Sequence, residues 1–440
     1  MTPVSAREQL IDLYGAAVAG ANVESLTADA MASIPLERRN RVWVFAFGKA
    51  AHAMASAAVN TLQRALAEIA GGVIVAPEDG HAPMGTIAVV AGEHPIPGKG
   101  SFDAAARIGR LLTQKRGGDL GIVLISGGAS SLIAAPLRGM NETELTQLYE
   151  LLLTAGLDIH AMNAVRKRFS HWAAGRMALS LAPARTVCFA VSDVPGDDLA
   201  TIGSGPCVPD PTEAQDVIDI LQRVQLLNRI SSAFRRYLVD TARGVIPETP
   251  KRTHPAFAHV QARVIANNGC ALTAAAAAAR RLGFDAVVHE QSLVGDAVDA
   301  AGQVVKSLLG ARDKAGRGTT MCHIWGGETT VAIRGPNVPR GGRCQELALA
   351  AASHLASAGE RAGGITVLAA GTDGRDGTTD AAGAIVDSST WKALGDAGRD
   401  ASTALRNHES YDALKAVNAL FSPGVTGTNV MDLTIGLVRT

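Results

Sequence analysis

The sequence shows no excess of charge of either sign. Lysine plus arginine and aspartate plus glutamate each total 41, so the formal net charge of the 440 residues is zero. A nucleic-acid-binding protein usually carries a basic excess, so we expect no nucleic-acid partner. A binding site for a small anion stays open, because such a site needs local charge and not global charge.

Cysteine is scarce and widely spaced. The five cysteines are Cys188, Cys207, Cys270, Cys322 and Cys344, and no two of them form a C-x-x-C pair. An odd count at this spacing predicts neither a zinc cage nor a disulfide framework. Free thiols are typical of a reducing compartment, so we expect a cytoplasmic protein.

Long apolar runs are missing. No window reaches about 18 uninterrupted apolar residues, the length that a membrane-spanning helix needs. The N-terminal segment MTPVSAREQLIDLYGAAVAGAN contains acidic residues and lacks the basic head and long apolar core of a secretory signal. We therefore expect no membrane span and no membrane partner.

Aromatic residues make up only 4% of the chain, whereas glycine reaches 47 residues. Abundant glycine without a collagen-like period usually reflects many tight turns between strands and helices. Apolar runs such as RVWVFAF and LGIVLI alternate with helical patterns, as in sheets buried on both faces. We predict an α/β fold: two α/β domains with mainly parallel or mixed sheets covered by helices.

A proline-containing segment, GVIPETPKRTHPAFAHV, marks the predicted domain boundary. It spans residues 244–260, holds three prolines and shows no clear periodicity. We predict an N-terminal domain at residues 1–245, a linker or hinge at 246–260 and a C-terminal domain at 261–440. A long internal loop is the alternative interpretation of the same pattern.

Five polar or glycine-rich loops follow directly on apolar runs. They are Gly48 with Lys49 and the segments 126–131, 192–198, 267–268 and 372–376. Ligands of open α/β sheets bind beyond the carboxyl ends of the strands. If both sheets present those ends to one place, the five loops meet there, so we expect the active site in an interdomain cleft.

Two of these loops predict an anion site. Lys49 follows FAFG at an expected helix start, where a cation is unfavourable unless an anion shares the site. The turn SGGASS, at residues 126–131, offers flexible backbone N–H groups and hydroxyls that suit phosphate or carboxylate. A surface lysine and a simple glycine turn are the structural alternatives.

A third loop adds arginine to glycine. The segment IWGGETTVAIRGPNVPRGGRCQELALAAA, at residues 324–352, carries Arg334, Arg340 and Arg343 between two apolar runs. Arginine grips planar anions, and glycine lets the backbone approach a ligand closely. A solvated surface loop is the alternative.

Two acidic loops predict sites for hard cations or tight turns. SDVPGDDLATIGSGPCVPDPT holds Asp193, Asp197, Asp198 and Asp210, and clustered carboxylates suit Mg²⁺ held together with substrate phosphates. GTDGRDGTTDAAG adds a second acidic rim. For the first loop, its length and its density of acidic residues favour a functional role over turn and capping chemistry; for the second loop the two interpretations are equal.

Familiar nucleotide templates do not fit. In GEHPIPGKGS, five residues separate Gly92 from Gly98 instead of four, and Lys99 is followed by glycine instead of serine or threonine. No G-x-G-x-x-G follows a strand with an acidic residue about 20 positions later, so no standard dinucleotide site is visible. His94 and His160 could contact a substrate, but a structural role is the favoured interpretation for both.

The ordered set of motifs resembles the class II glycerate 2-kinases, the family with a C-terminal MOFRL domain. The matching stretches are FAFGKAAHAM, GEHPIPGKGS, LISGGASSL, NAVRKRFSHWAAGRMA, SDVPGDDLATIGSGP, IANN, IWGGETTV, GGRCQELAL, AAGTDGRDGTTDAAGAIVD and GTNVMDL. Together they cover nearly the whole chain. One departure is Cys344, where the family motif GGRNQEL has asparagine.

The resemblance implies a phosphotransferase with an alcohol acceptor. It would transfer the γ-phosphoryl group of ATP to the C2 hydroxyl of D-glycerate, giving 2-phosphoglycerate and ADP, with Mg²⁺ as cofactor. It also implies a Rossmann-like N-terminal domain. The oligomeric state is left open, with a homodimer as one alternative.

The resemblance also nominates site residues. Lys49 and Arg343 would neutralise charge on the transferring phosphoryl group, and Asp193 would hold Mg²⁺ or orient the attacking hydroxyl, with Asp197 as a second metal ligand. Arg166 would clamp the carboxylate of the acceptor. Further acceptor candidates are Ser204 and Glu346. The nucleotide candidates are Ser126, Gly127, Gly128, Ser130, Ser131, Asn267, Gly371 and Asp373.

Two other functions remain as alternatives. Members of the family also carry the name hydroxypyruvate reductase, which would require NAD(P)H and a nicotinamide site. The same loops could instead bind a phosphorylated metabolite without turnover, as in a sensor.

Overall fold

A computed structural model of the chain describes residues 4–36, 41–77, 82–333 and 339–440. The strands are β1 Arg41–Phe47, β2 Glu68–Ala76, β3 Ile87–Ala91, β4 Leu120–Ile125, β5 Arg185–Val191, β6 Val260–Ala266, β7 Asp285–Val288, β8 Leu293–Asp296, β9 Thr320–Thr330, β10 Ile365–Gly371, β11 Gly383–Asp387, β12 Leu420–Phe421 and β13 Asp432–Arg439.

The α-helices alternate with these strands. They are α1 Ala6–Gly20, α2 Val23–Ala32, α3 Ala51–Arg64, α4 Lys99–Leu112, α5 Ala129–Leu132, α6 Glu142–Leu153, α7 Ile159–Phe169, α8 Arg176–Leu181, α9 Ala214–Arg223, α10 Ser232–Ala242, α11 Asn268–Arg281, α12 Ala297–Lys314, α13 Arg343–Ser357, α14 Thr390–Asp396, α15 Ala401–Arg406 and α16 Ser410–Ala416. Short 3₁₀ helices lie at Ile202–Ser204, Pro255–His259 and Gly359–Ala362. None of the helices within these described ranges is long and apolar enough to cross a membrane.

The chain divides into two compact units. One consists of residues 23–265, and the other combines residues 1–22 with residues 266–440. This division differs from the expected boundary at 246–260. That segment contains the 3₁₀ helix Pro255–His259, which leads directly into β6 of the first sheet.

The sheet of the 23–265 unit has the order β3-β2-β1-β4-β5-β6. The pairs β3–β2, β2–β1, β1–β4 and β4–β5 are parallel. The strand order reverses between β1 and β4, and Phe47 pairs with Ile125 at the carboxyl ends of these two strands. In doubly wound sheets of this order, the ligand crevice lies at the point of reversal.

The apolar runs of the sequence form the interior of this unit. Every residue of β4 is buried, as is β1 after its first residue, because helices cover the sheet on both faces. Trp43, Phe45 and Val123 belong to one buried cluster that also includes residues of α4 and α8. The strand ends are therefore held by a packed core, and the loops that follow them inherit fixed starting positions.

The second unit contains a mixed sheet. Its order is β12-β11-β10-β13-β9-β7, and β8 pairs with β9. The pairs β12–β11, β11–β10, β10–β13 and β13–β9 are antiparallel, whereas β7 and β8 run parallel to β9. Two helix-covered sheets, one largely parallel and one mixed, confirm the predicted fold class.

The first helix belongs to the second unit. Tyr14 of α1 donates from its hydroxyl to the carbonyl of Gly371 at 2.8 Å, and the Thr428 hydroxyl donates to the carbonyl of Ala21 at 2.8 Å. Gly20 lies so close to α11 that a Cβ built on it would be 2.1 Å from the Cβ of Ala274. The helix α1 therefore packs against α11 and contacts the end of β10 within this unit.

Candidate active site

The loops after β1 and β4 interlock at the point where the strand order reverses. The Lys49 N–H donates to the carbonyl of Gly127 at 2.9 Å, and the Ala50 N–H donates to Ser126 Oγ at 3.0 Å. Gly48 has a φ of +119°, and a Cβ built there would lie 2.2 Å from Ser126 Oγ. Only glycine allows this conformation and this approach together. The predicted Lys49 loop and the SGGASS loop are thus brought together.

Two further side chains lie against the glycines of SGGASS. A Cβ built on Gly127 would be 2.1 Å from Asp193 Oδ2. A Cβ on Gly128, whose φ is +89°, would be 2.9 Å from His94 Cδ2 and 3.3 Å from its Nε2. The glycines therefore make room for a carboxylate and an imidazole beside the loop.

The electrostatics link these groups to two cations. Burial lowers the pKa of His94 to about 4, and the positive charges of Lys49 and Arg166 act in the same direction. Burial raises the pKa of Asp193, and the charge of Lys49 opposes that rise. Lys49, His94, Arg166 and Asp193 therefore share one electrostatic environment in the 23–265 unit.

Arg166 is a buried cation without an anionic partner among the described residues. It is 7% exposed, and its Nε and Nη2 atoms have no hydrogen-bond partner in the described structure. Its guanidinium lies 4.5 Å from the ring centroid of Tyr149, and Nη1 is 3.5 Å from Asn163 Oδ1. Burial lowers the pKa of Arg166, as expected for a charge that lacks compensation.

The neighbouring cations of the same helix are compensated. Lys167 Nζ lies 2.9 Å from Asp210 Oδ1, and Arg168 pairs with Glu248. An unpaired buried donor costs free energy unless a ligand or water satisfies it. Arg168 Nε also lacks a hydrogen-bond partner in the described structure, but Arg166 differs from its two neighbours in having no carboxylate beside its charge among the described residues.

Serine hydroxyls of SGGASS connect the loop to its surroundings. Ser130 Oγ and Ser204 Oγ are 2.7 Å apart, and Ser131 Oγ donates to the Gly128 carbonyl at 3.1 Å. The Tyr149 hydroxyl donates to the Ser130 carbonyl at 2.9 Å. Ser204, which was predicted to bind the acceptor substrate, therefore lies next to residues that were predicted to bind the nucleotide.

The acidic loop does not act as one cluster. Asp198 accepts from the Ala200 N–H and the Thr201 hydroxyl, and Asp210 is bound to Lys167. Both use their carboxylates for turns and ion pairs, as the structural alternative anticipated. Asp193 is the carboxylate of this loop that faces the glycines, and Asp197 is half-buried with a left-handed φ of 54°.

A metal site of three or more protein ligands is absent from the described residues. Mg²⁺ commonly takes only one or two carboxylates, with water and substrate phosphates supplying the remaining ligands. The half-buried Asp193 carboxylate beside a glycine loop and Lys49 fits such a site.

In the second unit, Arg343 is fully compensated. Its Nε and Nη2 donate to the two carboxylate oxygens of Asp432 at 2.5 and 2.9 Å, and Nη1 lies 2.9 Å from Glu328 Oε1. Burial alone would lower the pKa of Arg343, but these two carboxylates raise it. The expected free phosphoryl-binding arginine is therefore held by two acids. Arg334 lies outside the described residues.

The N-terminus of α13 is also engaged. The carboxylate of Asp376 accepts from the N–H groups of Cys344 and Gln345 at 3.2 and 2.8 Å. Burial raises the pKa of Asp376 to about 7, and the nearby charge of Asp432 adds to the rise, although the two N–H donors oppose it. An acidic residue of GTDGRDGTTDAAG thus serves as a helix cap.

The remaining candidates of this unit have structural contacts. Asn267 caps α11 by accepting from the Cys270 N–H, and Asp373 accepts from the Arg375 N–H in a turn. Glu346 is 2% exposed and lies 2.9 Å from His408 Nδ1, while Gly371 ends β10. These contacts hold the loops in place.

Sequence reasoning assigned His94 a structural role and did not single out Tyr149. His94 lies in GEHPIPGKGS, but the sequence of that motif does not show what the histidine contacts, and Tyr149 lies in none of the motifs. The signal that identifies them is spatial: His94 lies on Gly128, and Tyr149 lies under Arg166.

Comparisons with known proteins identify the family of the chain. A domain of unknown function, DUF4147, matches residues 9–239, and the MOFRL family matches residues 321–432. The D-glycerate 2-kinase of Thermotoga maritima is 36% identical over 415 residues, covering 92% of this chain and 93% of that protein. The glycerate 2-kinase of Pyrococcus horikoshii is 36% identical over 404 residues, covering 91% and 88%.

A relative with a different name and a solved structure complete the comparison. A putative hydroxypyruvate reductase of Agrobacterium vitis is 37% identical over 435 residues, covering 98% of this chain and 94% of that protein. The crystal structure of a glycerate kinase from Thermotoga maritima aligns with a TM-score of 0.86 and 34% identity, covering 99% of this chain and 100% of that one.

Proposed function

The chain belongs to the glycerate 2-kinase family with a MOFRL domain, and we propose that it transfers the γ-phosphoryl group of ATP to the C2 hydroxyl of D-glycerate. The products are 2-phosphoglycerate and ADP. The observation that supports this reaction best is the guanidinium of Arg166, whose Nε and Nη2 atoms have no partner among the described residues and whose charge, like that of Lys49, acts on His94 beside the SGGASS loop. A carboxylate-bearing acceptor and a phosphoryl donor require cations of this kind at adjacent positions.

Arg166 binds the carboxylate of the acceptor. Its unpaired Nε and Nη2 atoms form one edge of the guanidinium, and a carboxylate accepts from both at once. Arg343 uses the same pair of atoms to hold Asp432, which shows the geometry within this chain. The carboxylate of D-glycerate would satisfy at Arg166 the two donors that the protein leaves free.

Lys49 and the SGGASS loop bind the phosphoryl donor. The N–H groups of Ser126, Ala129 and Ser131 donate within the chain, so the N–H groups of the two glycines, Gly127 and Gly128, are the ones that would bind phosphate oxygens. The ammonium of Lys49 would neutralise negative charge there. Ser126, Gly127, Gly128, Ser130 and Ser131 are the proposed nucleotide residues of this loop. Ser204, joined to Ser130, completes its polar surface.

Asp193 would hold Mg²⁺, with Asp197 as a second ligand. When bound, the ion would offset the negative charge of the phosphoryl donor. Asp193 lies against Gly127, and the positive charge of Lys49 acts on its carboxylate by lowering its pKa against the effect of burial.

Arg343 is the proposed second cation for the phosphoryl group. Glu328, bound to Nη1, is the partner that a phosphoryl oxygen would replace, while Asp432 keeps the guanidinium oriented. Asn267, Gly371, Asp373 and Glu346 shape the loops around it. Their polar contacts favour that role over direct ligand binding.

The test is an assay of the purified protein with D-glycerate and MgATP and no nicotinamide. The expected product is accepted by enolase without added mutase, because enolase takes 2-phosphoglycerate and not the 3-isomer. The names of two relatives make hydroxypyruvate the necessary second substrate to test. If the protein forms no ADP from D-glycerate and MgATP, but oxidises NAD(P)H in a separate assay with hydroxypyruvate, it is a reductase and not a kinase. If it binds nucleotide tightly and catalyses neither reaction, it is a sensor.

A further inference from the structure

The segment GEHPIPGKGS resembles a phosphate-binding loop, but a glutamate occupies its helix start. The side chain of Glu93 accepts from the N–H groups of Gly100 and Ser101, both at 3.0 Å, and from the Ser101 hydroxyl at 3.1 Å. These are the donors that a phosphate would need at the beginning of α4. The segment is therefore not a phosphate loop, and its role has to lie elsewhere.

The cap of α4 fixes where the next residue lies. A Cβ built on Gly98 would be 2.7 Å from the carboxyl carbon of Glu93, and one on Gly100 would be 2.1 Å from the carbonyl oxygen of Ala91. The two glycines thus allow Glu93 to close over the helix start. With Glu93 anchored, the ring of His94 lies against Gly128 of the SGGASS loop.

His94 is free to bind a ligand. Its ring lies at the edge of the site, where the residue is exposed, and neither ring nitrogen has a hydrogen-bond partner among the described residues. Partial burial of the ring lowers its pKa to about 4, and the positive charges of Lys49 and Arg166 act in the same direction. A neutral imidazole offers one donor and one acceptor, unlike the two cations beside it.

The roles proposed for Arg166 and Lys49 indicate which group of the acceptor substrate His94 would contact. A carboxylate at Arg166 and a phosphoryl group near Lys49 place between them the hydroxyl that is bonded to the carbon next to the carboxylate. Neither cation can accept a hydrogen bond from that hydroxyl, because lysine and arginine are donors only. An imidazole can.

We propose that His94 contacts the acceptor directly and accepts a hydrogen bond from the C2 hydroxyl of a 2-hydroxycarboxylate held at Arg166. The proposal rests on the function proposed above and adds a residue that selects 2-hydroxy acids among carboxylates. In this assignment Asp193 binds the metal ion, and His94 binds the C2 hydroxyl of the acceptor.

The experiment compares two inhibitors that differ by this hydroxyl. D-lactate and propanoate are measured as competitive inhibitors against D-glycerate in the wild type and in the variants His94→Ala and His94→Gln. One hydrogen bond is worth a factor of roughly 2–10 in affinity. We expect the wild type to bind D-lactate more tightly than propanoate by this factor, and His94→Ala to bring the ratio close to 1 by weakening D-lactate alone. Glutamine, which keeps an acceptor, should restore part of the ratio.

Two controls make the result specific. His259→Ala removes an exposed histidine outside the site and should leave the ratio unchanged, and the KM for ATP should stay constant in all variants. The assignment of His94 would be wrong, and the proposed function would stand, if the wild type is an active kinase but His94→Ala keeps the wild-type ratio of the two inhibition constants. The same holds if His94→Ala weakens the binding of both inhibitors equally. A wild type that forms no phosphorylated glycerate would overturn the proposed function and this inference with it.

Discussion

At the scale of single residues, the cations of the chain differ by what compensates them. Arg343 has two carboxylate partners, Lys167 has Asp210, and Arg166 has none among the described residues. Compensated arginines hold structure together, and removing one leaves its acids unpaired. A loss of activity in Arg343→Ala would therefore mix catalysis with folding, whereas Lys49 offers a cleaner test.

Replacing Lys49 by alanine should abolish most turnover while keeping the fold. Lys49 is exposed, so little packing is lost, and its main-chain N–H, which donates to Gly127, is kept in the variant. Loss of one charge-stabilising donor typically lowers kcat on the order of 10²–10³. Steady-state kinetics and thermal unfolding measure the two effects separately.

Lys99→Ala is the matched control for this lysine. Lys99 is exposed and pairs with Asp103 one helical turn away, at the start of α4. Its removal should change kcat less than about twofold, because exposed pairs of this kind contribute little. Equal kinetics for the two variants would remove Lys49 from the proposed site.

At the scale of elements, helix starts decide which loops are open to a ligand. Glu93 caps α4, Asn267 caps α11 and Asp376 caps α13 with its carboxylate. The loops before these three helices are rich in glycine or polar residues, a composition that is typical of anion-binding sites. The caps fill them from within the chain, whereas Gly128 precedes α5 without a side-chain cap.

The cap of α13 predicts a pH dependence of stability. Because burial raises the pKa of Asp376 to about 7 in the folded state, the folded protein holds a proton that the unfolded chain loses near pH 4. The free energy of unfolding should therefore fall as the pH rises from about 4 to about 7, and the contribution should be constant above that range.

Asp376→Asn removes this titration and keeps an oxygen that can accept from the N–H groups of α13. The stability of the wild type relative to the variant should decrease between pH 5 and pH 8 by on the order of 1–3 kcal/mol. Urea unfolding at both pH values measures the difference. A constant difference, or one that grows with pH, would contradict the raised pKa.

At the scale of the whole molecule, the chain order does not match the division into units. Residues 1–22 group with residues 266–440, although the chain in between forms the other unit. Tyr14 and Gly20 of α1 contact Gly371 and Ala274, respectively. The C-terminal unit is therefore completed by the beginning of the chain.

Two glycines of α1 test this packing within the intact protein. Gly20→Ala places a methyl group 2.1 Å from the Cβ of Ala274, so α1 and α11 must separate, which should destabilise the unit by roughly 1–3 kcal/mol. Gly15 has nothing within 4 Å of its built Cβ, so Gly15→Ala should stabilise α1 by about 0.5–1 kcal/mol. Hydrogen exchange of α11 amides, with urea unfolding, measures both. The same sign for both variants would contradict the contact.

The sequence by itself determined the α/β class and the apolar strands that precede the polar and glycine-rich loops. Runs such as RVWVFAF and LGIVLI are apolar throughout because both faces of the first sheet are covered, and this pattern is local. The motif set identified the family for the same reason, since each motif is a short continuous stretch.

Only the tertiary structure decided which charges are free. Arg166, Lys167 and Arg168 are adjacent cations, yet Asp210 and Glu248 pair with the charges of the last two from positions far along the chain. Arg343 finds Asp432 across 89 residues, and α1 finds α11 across more than half of the chain. Periodicity indicates that a face or a charge must be covered, but the partner is chosen by packing in three dimensions, where sequence separation carries no information about distance.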